Sequence, residues 1–424
     1  MEKGFVVHET ALDRSGSRFA AGEPRQGFWA LADQATVSMG NFLTQVFLAR
    51  ALAPEQYGVF ALLFGIHLVM SGLHASLVVY PLSVRGATLD DAALRRHLAG
   101  SLLATLGLAV PLGGVMLAAA WFLSWPQLGP WAALAMLFWQ VQETVRRALM
   151  AHLRHRDALP GDALSYLGQA AVVFALHQTG NLSLPTAFAA FAITSGLAAA
   201  LQAAQLGLRS ASLSSPEGFV ADSWQLGRWI LFSNILGILT IQAFPWTLAL
   251  FHGPAAAAEL QALINILGVT HPVMFGLSNL IVPTVAQSHR QAGLAAARRT
   301  AFRYATQGAL LLAPNYAALL LAPGRNLTII YGANSHYAGL TAPLRLFVLA
   351  YVFVYAASVV LALLAGLERT RHAFFAQLGS SLASLGVGLP LAALGGIAGA
   401  TGGLVLVNGV RTFVGAWMVN RVQG

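Results

Sequence analysis

Apolar runs of about 20 residues, the length a bilayer span requires, recur twelve times along the chain, separated by short polar, arginine-bearing or Gly/Pro-containing stretches. They predict helices over 28–49, 58–80, 98–124, 130–151, 162–180 and 184–208, then over 227–250, 260–286, 304–323, 339–366, 372–392 and 396–418. The first of these is unlike a helix meant only for lipid. Gln34, Ser38, Asn41 and Gln45 follow one another at steps of four, three and four, which aligns them along one side of a helix, with Asp33 and Thr44 flanking the line. An unpaired polar group in hydrocarbon costs several kcal/mol. The line therefore either faces a cavity or packs against polar partners on another helix.

Composition agrees with a polytopic membrane protein: 57% hydrophobic, 9% charged and a mean hydropathy of +0.66, far from the usual quarter of charged residues in soluble domains. The first 26 residues are polar and carry Glu2, Lys3, Arg14, Arg18 and Arg25, so no secretory signal is visible. The absence of cysteine excludes disulfides, thiolate metal sites and cysteine nucleophiles. Lys3 is the only lysine, so no P-loop exists. The net charge of +9 points to topology rather than nucleic acid. With the N-terminus placed in the cytoplasm, 20 of the 24 basic residues fall in inside segments, as the positive-inside rule requires. Both termini are then cytoplasmic. Arg50 and Arg325 lie outside, and Arg345 and Arg411 fall within spans.

The two halves carry matching landmarks. Trp29 and Trp229, Pro54 and Pro254, and Gln34 and Asn234 are 200 residues apart; Arg95-Arg96 and Arg298-Arg299, and Pro111 and Pro314, are 203 apart. Six helices repeated in the same orientation is the parallel-repeat plan of many transporters, with the site between the halves near the midplane. The expected organisation is a cytoplasmic N-terminal segment (1–27), a six-helix bundle (28–208), a cytoplasmic linker (209–226), a second six-helix bundle (227–419) and a cytoplasmic tail (420–424).

Candidate chemistry follows from position. Asp33, about 8 Å inside the first helix at 1.5 Å per residue, either reaches interface water or is a proton- or substrate-linked carboxylate. Asn41 and Gln45 lie deeper, as cavity lining or as helix–helix hydrogen-bonding groups. His67, Ser71 and His74 share one face of the second helix; histidines there could relay protons or simply pack, and the spacing suits no metal. Glu143, Arg146 and Arg147 can pair within the fourth helix, as a neutralised helix end or as a basic vestibule for phosphate. Arg50, Arg345 and Arg411 are further anion-binding candidates, although Arg345 and Arg411 could snorkel. Prolines 111, 245, 272, 314 and 343 interrupt spans, and Gly395, Gly399 and Gly403 form a close-packing face. The outward segments are short, and neither H-E-x-x-H nor G-x-S-x-G occurs, which argues against a membrane glycan polymerase or ligase and predicts no enzyme.

The run from Leu31 to Leu62 resembles the opening of the polysaccharide-transporter branch of the multidrug/oligosaccharidyl-lipid/polysaccharide (MOP) flippase superfamily. There the first helix ends in a stretch like L-A-R-x-L-x-P-x-x-Y-G, here Leu48, Ala49, Arg50, Leu52, Pro54, Tyr57 and Gly58. The segment from Gln142 to Leu159 is similar to the same branch in its E-x-x-R-R pattern. The G-x-x-x-D-R-x-G-R-R loop of the major facilitator superfamily is missing. The resemblance implies an all-α integral membrane protein, twelve transmembrane helices in two bundles forming a MATE-like V around a cavity. It further implies alternating-access flipping of an undecaprenyl-diphosphate-type lipid-linked oligosaccharide across the bacterial inner membrane, for surface polysaccharide biosynthesis. On that reading Gln34, Ser38, Asn41, Gln45, His67, Ser71, His74 and Asn234 would line the cavity, and Arg50, Arg146, Arg147, Arg345 and Arg411 would hold phosphate. Asp33 and Glu143, and equally His67 or His74, would couple a proton or sodium ion, with no other cofactor. The expected partners are the lipid-linked glycan, the bilayer and other polysaccharide-assembly proteins, with no nucleic acid; the expected state is a monomer. A MATE-type drug antiporter is the alternative, which prefers a cavity rich in carboxylates, whereas only Asp33, Glu143 and Asp162 fall in or near spans.

Overall fold

The computed structural model describes residues 23–208 and 218–421, so Lys3, Arg14, Arg18 and Arg209 of the positive-inside argument lie outside the described residues. Among the described residues the chain is helical with no strand, and helices occupy all twelve predicted intervals. The first bundle contains α1 (Glu23–Ala51), α2 (Pro54–Gly86), α3 (Asp91–Phe122), α4 (Gly129–Ala151), α5 (His155–Gln178) and α6 (Leu184–Gln205). The second opens with α7 (Phe219–His252). Next comes α8, which runs through Pro254–Gly268 and bends by 55° into the start of the helix His271–Leu321. The backbone of that long helix breaks at Ala292 and Gly293, and α9 is the part beyond. The last three are α10 (Thr341–Gly366), α11 (from Thr370) and α12, which separates from α11 only at Gly396, φ 56°.

The differences from the predicted boundaries have local causes. Pro272 does not kink a span from within; it sits in the first turn after the bend that ends the first segment of α8. The short outward segment expected before α12 contracts to a single glycine, whose left-handed φ turns the chain there. Among the described residues seven helices are long and apolar enough to cross a membrane alone, eight if the bent pair counts as one. The helices α1 and α4 are long enough but carry the polar line and the Glu143–Arg147 charges, and α11 and α12 run on as one helix.

The parallel repeat is visible in the backbone itself. The extended turn residue before Pro126 is Trp125 (φ −127°, ψ 55°), and the one before Pro323 is Ala322 (φ −130°, ψ 54°). Leu153 and Glu368, which close α4 and α10, have the same left-handed φ of 57° and 59°. Each is followed by an arginine whose N–H returns to the carbonyl five residues back, Arg154 to Leu149 and Arg369 to Leu364. The most extensive packing in the first half joins α4 to α6 and α3 to α4; in the second it joins α10 to α12 and α10 to the long helix His271–Leu321 that contains α9.

Apolar packing sets the shape. One large core, including Leu48, Tyr57, Phe60, Phe244, Leu260 and Tyr351, runs through both bundles toward the end where α1 meets α2. At the opposite, arginine-rich end it divides into two separate cores. One belongs to the first bundle (Leu82, Leu98, Leu149, Leu206) and the other to the second (Ile281, Ala301, Leu364, Val419). The bundles therefore share an interior at one end and part at the other, a V whose mouth is the arginine-rich side.

Candidate functional site

The wall of the V on the first-bundle side is built on Arg146. Its position on α4 turns it inward, where Nη2 donates to Asp33 of α1 (2.8 Å), Nε to Asp162 of α5 (2.5 Å) and Nη1 to Glu143 one turn earlier (3.2 Å). Glu143 also accepts from Arg147 Nε at 2.5 Å. Asp33 is 2% exposed and Asp162 fully buried, so the shallow Asp33 does not reach interface water. Three carboxylates face two arginines, leaving one negative charge in excess, and Oδ1 of Asp33 is sealed without a hydrogen-bond partner. A second layer holds Asp162 in place: Gln202 of α6 donates to its Oδ1 at 3.0 Å, and Ser165 fixes Gln142 beside it. Ser165 lies in a π-type turn, Ala163–Leu167, that interrupts α5 just beyond the aspartate. Asp162 is the member of this cluster that the sequence reading left out of the site; its only signal was an acid opening an apolar run.

The predicted polar line on α1 divides. Toward the arginine-rich end Gln34 is exposed and hydrogen-bonds Ser38 (3.3 Å), and Asn41 is half-buried, so these three face open space. Gln45, expected on the cavity wall, is instead buried and accepts from the Tyr57 hydroxyl at 3.0 Å. That hydroxyl in turn accepts from Asn265 of α8 at 2.7 Å. Gln45 thus joins the two bundles through a buried hydrogen-bond chain. Arg50 is placed likewise: Nε and Nη2 each donate at 2.6 Å to the carbonyls of Ile330 and Ile329, the C-terminal turn of the short helix Pro323–Tyr331.

On α2, His67 is half-buried with its ring edge-on to Trp139 at 4.9 Å, and Ser71 donates to its carbonyl. His74 shares their face but is fully buried within the first bundle, bonded to Thr105 of α3 (2.9 Å) and Thr144 of α4 (3.1 Å). It is not part of the cleft, because the helix behind α2 is α3. Asn234 of α7 donates to Ser76 of α2. Arg345 is exposed and donates to the Leu320 carbonyl. Arg411, in contrast, makes no hydrogen bond or ion pair with any described residue, and its Nε is sealed.

The two seams between the bundles differ. Along α2 and α7–α8 the helices touch from one end to the other. A Cβ at Gly58 would lie 1.9 Å from the Pro254 carbonyl oxygen, and one at Gly227 would lie 2.3 Å from that of Ser76. At the arginine-rich tip Arg85 forms a two-pronged pair with Asp222, which holds the Asp222 carboxyl below the usual range. The α1–α8 seam is closed at the other end only, by the Gln45–Tyr57–Asn265 chain and Arg50. Toward the mouth it leaves apolar side chains uncovered: Leu31 (73%) and Met39 on α1, Phe275 (64%) and Leu280 on α8.

Two six-helix bundles in parallel repeat, parted into a V, are the fold of solved transporters of the MOP superfamily. A multidrug-resistance MATE family transporter of that superfamily, inward-facing, superposes with a TM-score of 0.74 at 15% identity over 91% of this chain and 94% of that one. The outward-facing form of a MATE family transporter gives 0.64 at 14% identity, covering 93% and 94%. The lipid II flippase MurJ, inward closed, gives 0.74 at 11% identity, covering 93% and 87%. No family model and no curated protein sequence matches the chain.

Proposed function

We propose that this chain is a bacterial inner-membrane flippase that moves an undecaprenyl-diphosphate-type lipid-linked oligosaccharide by alternating access, for surface polysaccharide assembly. The observation that carries the reading is the inequality of the two seams. A transporter for a wholly soluble solute gains nothing from a cleft open sideways, whereas a substrate with a polyprenyl tail must keep that tail in lipid while its headgroup enters. The parted α1–α8 seam, flanked by Leu31, Met39, Phe275 and Leu280, gives such a tail a path. The polar groups beside it, Gln34, Ser38 and Asn41 with His67 behind them, suit sugar hydroxyls. The arginine-rich mouth, read by the positive-inside rule, faces the cytoplasm, where the substrate is made. The likeness to an inward-facing MATE family transporter agrees with that orientation.

The Arg146 cluster is the coupling site on this reading. Its one uncompensated negative charge is what a transported proton neutralises, and Asp33 and Asp162 grip adjacent nitrogens of one guanidinium. Loading a proton loosens one of those grips and frees α1 to move against α5. The drug-antiporter alternative fits less well: Asp33, Glu143 and Asp162 are all occupied by arginine, leaving none of them free in the cleft for a cationic drug. The test is leaflet assignment of the lipid-linked glycan in cells lacking the protein: accumulation on the cytoplasmic face supports the reading, and an unchanged distribution rejects it.

A further inference from the structure

One helix is fastened to both bundles. The first part of α8, Pro254–Gly268, packs most extensively against α2. Pro254 closes on Gly58 of that helix, and Asn265 donates to the Tyr57 hydroxyl at 2.7 Å. Beyond the 55° bend, the helix that starts at His271 packs on the second bundle instead. Ile281 and Val285 are fully buried there, in the separate core that holds Ala301, Leu364 and Val419. A Cβ at Gly366 of α10 would lie 2.7 Å from the Val282 carbonyl oxygen. If the bundles move against each other, α8 has to absorb the motion between these two anchorages.

The sequence between the anchorages is built to yield. Pro272 has no N–H to return to the Gly268 carbonyl. The Leu267 carbonyl accepts from both the N–H and the hydroxyl of Thr270, at 3.0 and 2.6 Å. That i→i+3 step is the tighter 3₁₀ form, which marks hinges within helices. A Cβ on Gly268 would meet nothing, so no neighbour wedges the chain there. The first firm hold comes at His271. Its ring stacks on Tyr351 of α10, with centroids 5.7 Å and planes 19° apart, and its Nε2 lies 3.1 Å from the Tyr351 hydroxyl. Tyr351 is itself buried, with the Phe347 ring 5.1 Å away. One turn beyond His271, and 6.0 Å from its ring, stands Phe275, which the parted seam leaves uncovered.

We infer that the Gly268–His271 bend is the hinge on which the mouth of the α1–α8 seam opens and closes, and that the His271–Tyr351 pair fixes its pivot. The inference rests on the flippase reading for the purpose of the seam, not for its motion. By clamping the first residue after the bend to α10, the pair confines flexion to the few residues before it. Phe275 and Leu280 then travel with the second bundle as a unit, and the width of the mouth follows from one angle. Without the pair, flexion spreads into the turn that carries Phe275, and the mouth loses a defined width. His271 and Tyr351 are positioning residues in this scheme; neither has to touch what passes the seam.

The experiment measures spin-label distances in the full chain in lipid nanodiscs, with no glycan present. The chain has no cysteine, so L31C/L280C labels the mouth and M39C/V269C labels the level of the bend. The mouth pair should show the broader distribution. Y351F, which removes the hydroxyl and keeps the ring, should raise the fraction outside the main mouth distance about three- to tenfold, as loss of one buried hydrogen bond gives. H271F should do the same, and neither should move the M39C/V269C pair. P272A returns an N–H to the Gly268 carbonyl and should narrow the mouth distribution. Equal widths at the two pairs, or a P272A mouth as broad as the parent's, overturn the hinge. Mouth distributions unchanged in Y351F and H271F overturn the pivot; if H271F does not fold, Y351F alone decides. Because no substrate enters the measurement, either failure leaves the flippase reading to its own leaflet test.

Discussion

Arg50 at the end of α1 donates two 2.6 Å hydrogen bonds to the carbonyls of Ile330 and Ile329, tying the first bundle to the C-terminus of a helix in the second. Those carbonyls are the unsatisfied end of a helix dipole, where a cation is favoured. The sequence pattern around Arg50 therefore marks a strap across the closed end of the V. Replacing it with glutamine should shift the balance toward an opening of that end by about tenfold, since a charge-assisted hydrogen bond contributes about 1.5–3 kcal/mol before solvent screening. Distances between spin labels on the two bundles at that end would register the shift; an unchanged distribution would remove the strap from the account.

Arg146 should be far less tolerant than its partners. R146Q strands Asp33 and Asp162, the latter wholly buried, at a cost of about 3–5 kcal/mol, and should reduce the yield of monodisperse protein sharply. D33N removes the excess charge instead, so it should fold normally while flattening the dependence of transport on the pH gradient. Chromatography and reconstituted transport separate the two outcomes.

Close helix crossings give a graded packing test. An alanine at Gly58 would drive its Cβ to 1.9 Å from the Pro254 backbone, which cannot move without its helix, whereas one at Gly65 meets only the end of the Gln242 side chain at 2.8 Å. G58A should cost about 1–3 kcal/mol or more, and G65A well under that. Thermal melting of the two variants in detergent would rank them.

The Arg85–Asp222 pair makes the tip of the α2–α7 seam sensitive to acid. Its hydrogen bond lowers the Asp222 carboxyl in the folded protein, so its contribution is complete above the unfolded value of about 4. That contribution is lost as pH falls through the lower folded value. The seam should therefore hold unchanged through neutral pH and loosen only in acid, and D222N should show the loosened state throughout. Spin-label distances between the ends of α2 and α7 across a pH titration check this.

What the sequence made legible was periodic. Apolar runs located the helices, arginines gave one end its character, and the spacing of proline and tryptophan pairs anticipated a repeat that the turns at Trp125 and Ala322 repeat angle for angle. The site was less legible, because a side chain's role depended on which helix stood behind it. Gln45 and Asn41 share one line on α1, yet α2 and α8 cover the first and leave the second half-open. His67 and Ser71 look alike in spacing to His74, but α3 backs only the last. Arg146 and Arg411 are both in-span arginines, and only three-dimensional neighbours distinguish the one with three acids from the one with none. Asp162 opened an apolar run as any helix-start acid does; it meets Asp33, more than a hundred residues away, only through Arg146.

If lipid-linked glycan crosses the membrane through the parted α1–α8 seam, locking that seam must stop it. The direct measurement is flipping of a lipid-linked oligosaccharide in proteoliposomes, before and after a cysteine pair at Leu31 and Phe275 is cross-linked by a bifunctional reagent of matching span. Flipping should require the protein, stop on cross-linking and return on cleavage of the linker. Flipping at an unchanged rate with the seam locked would contradict it.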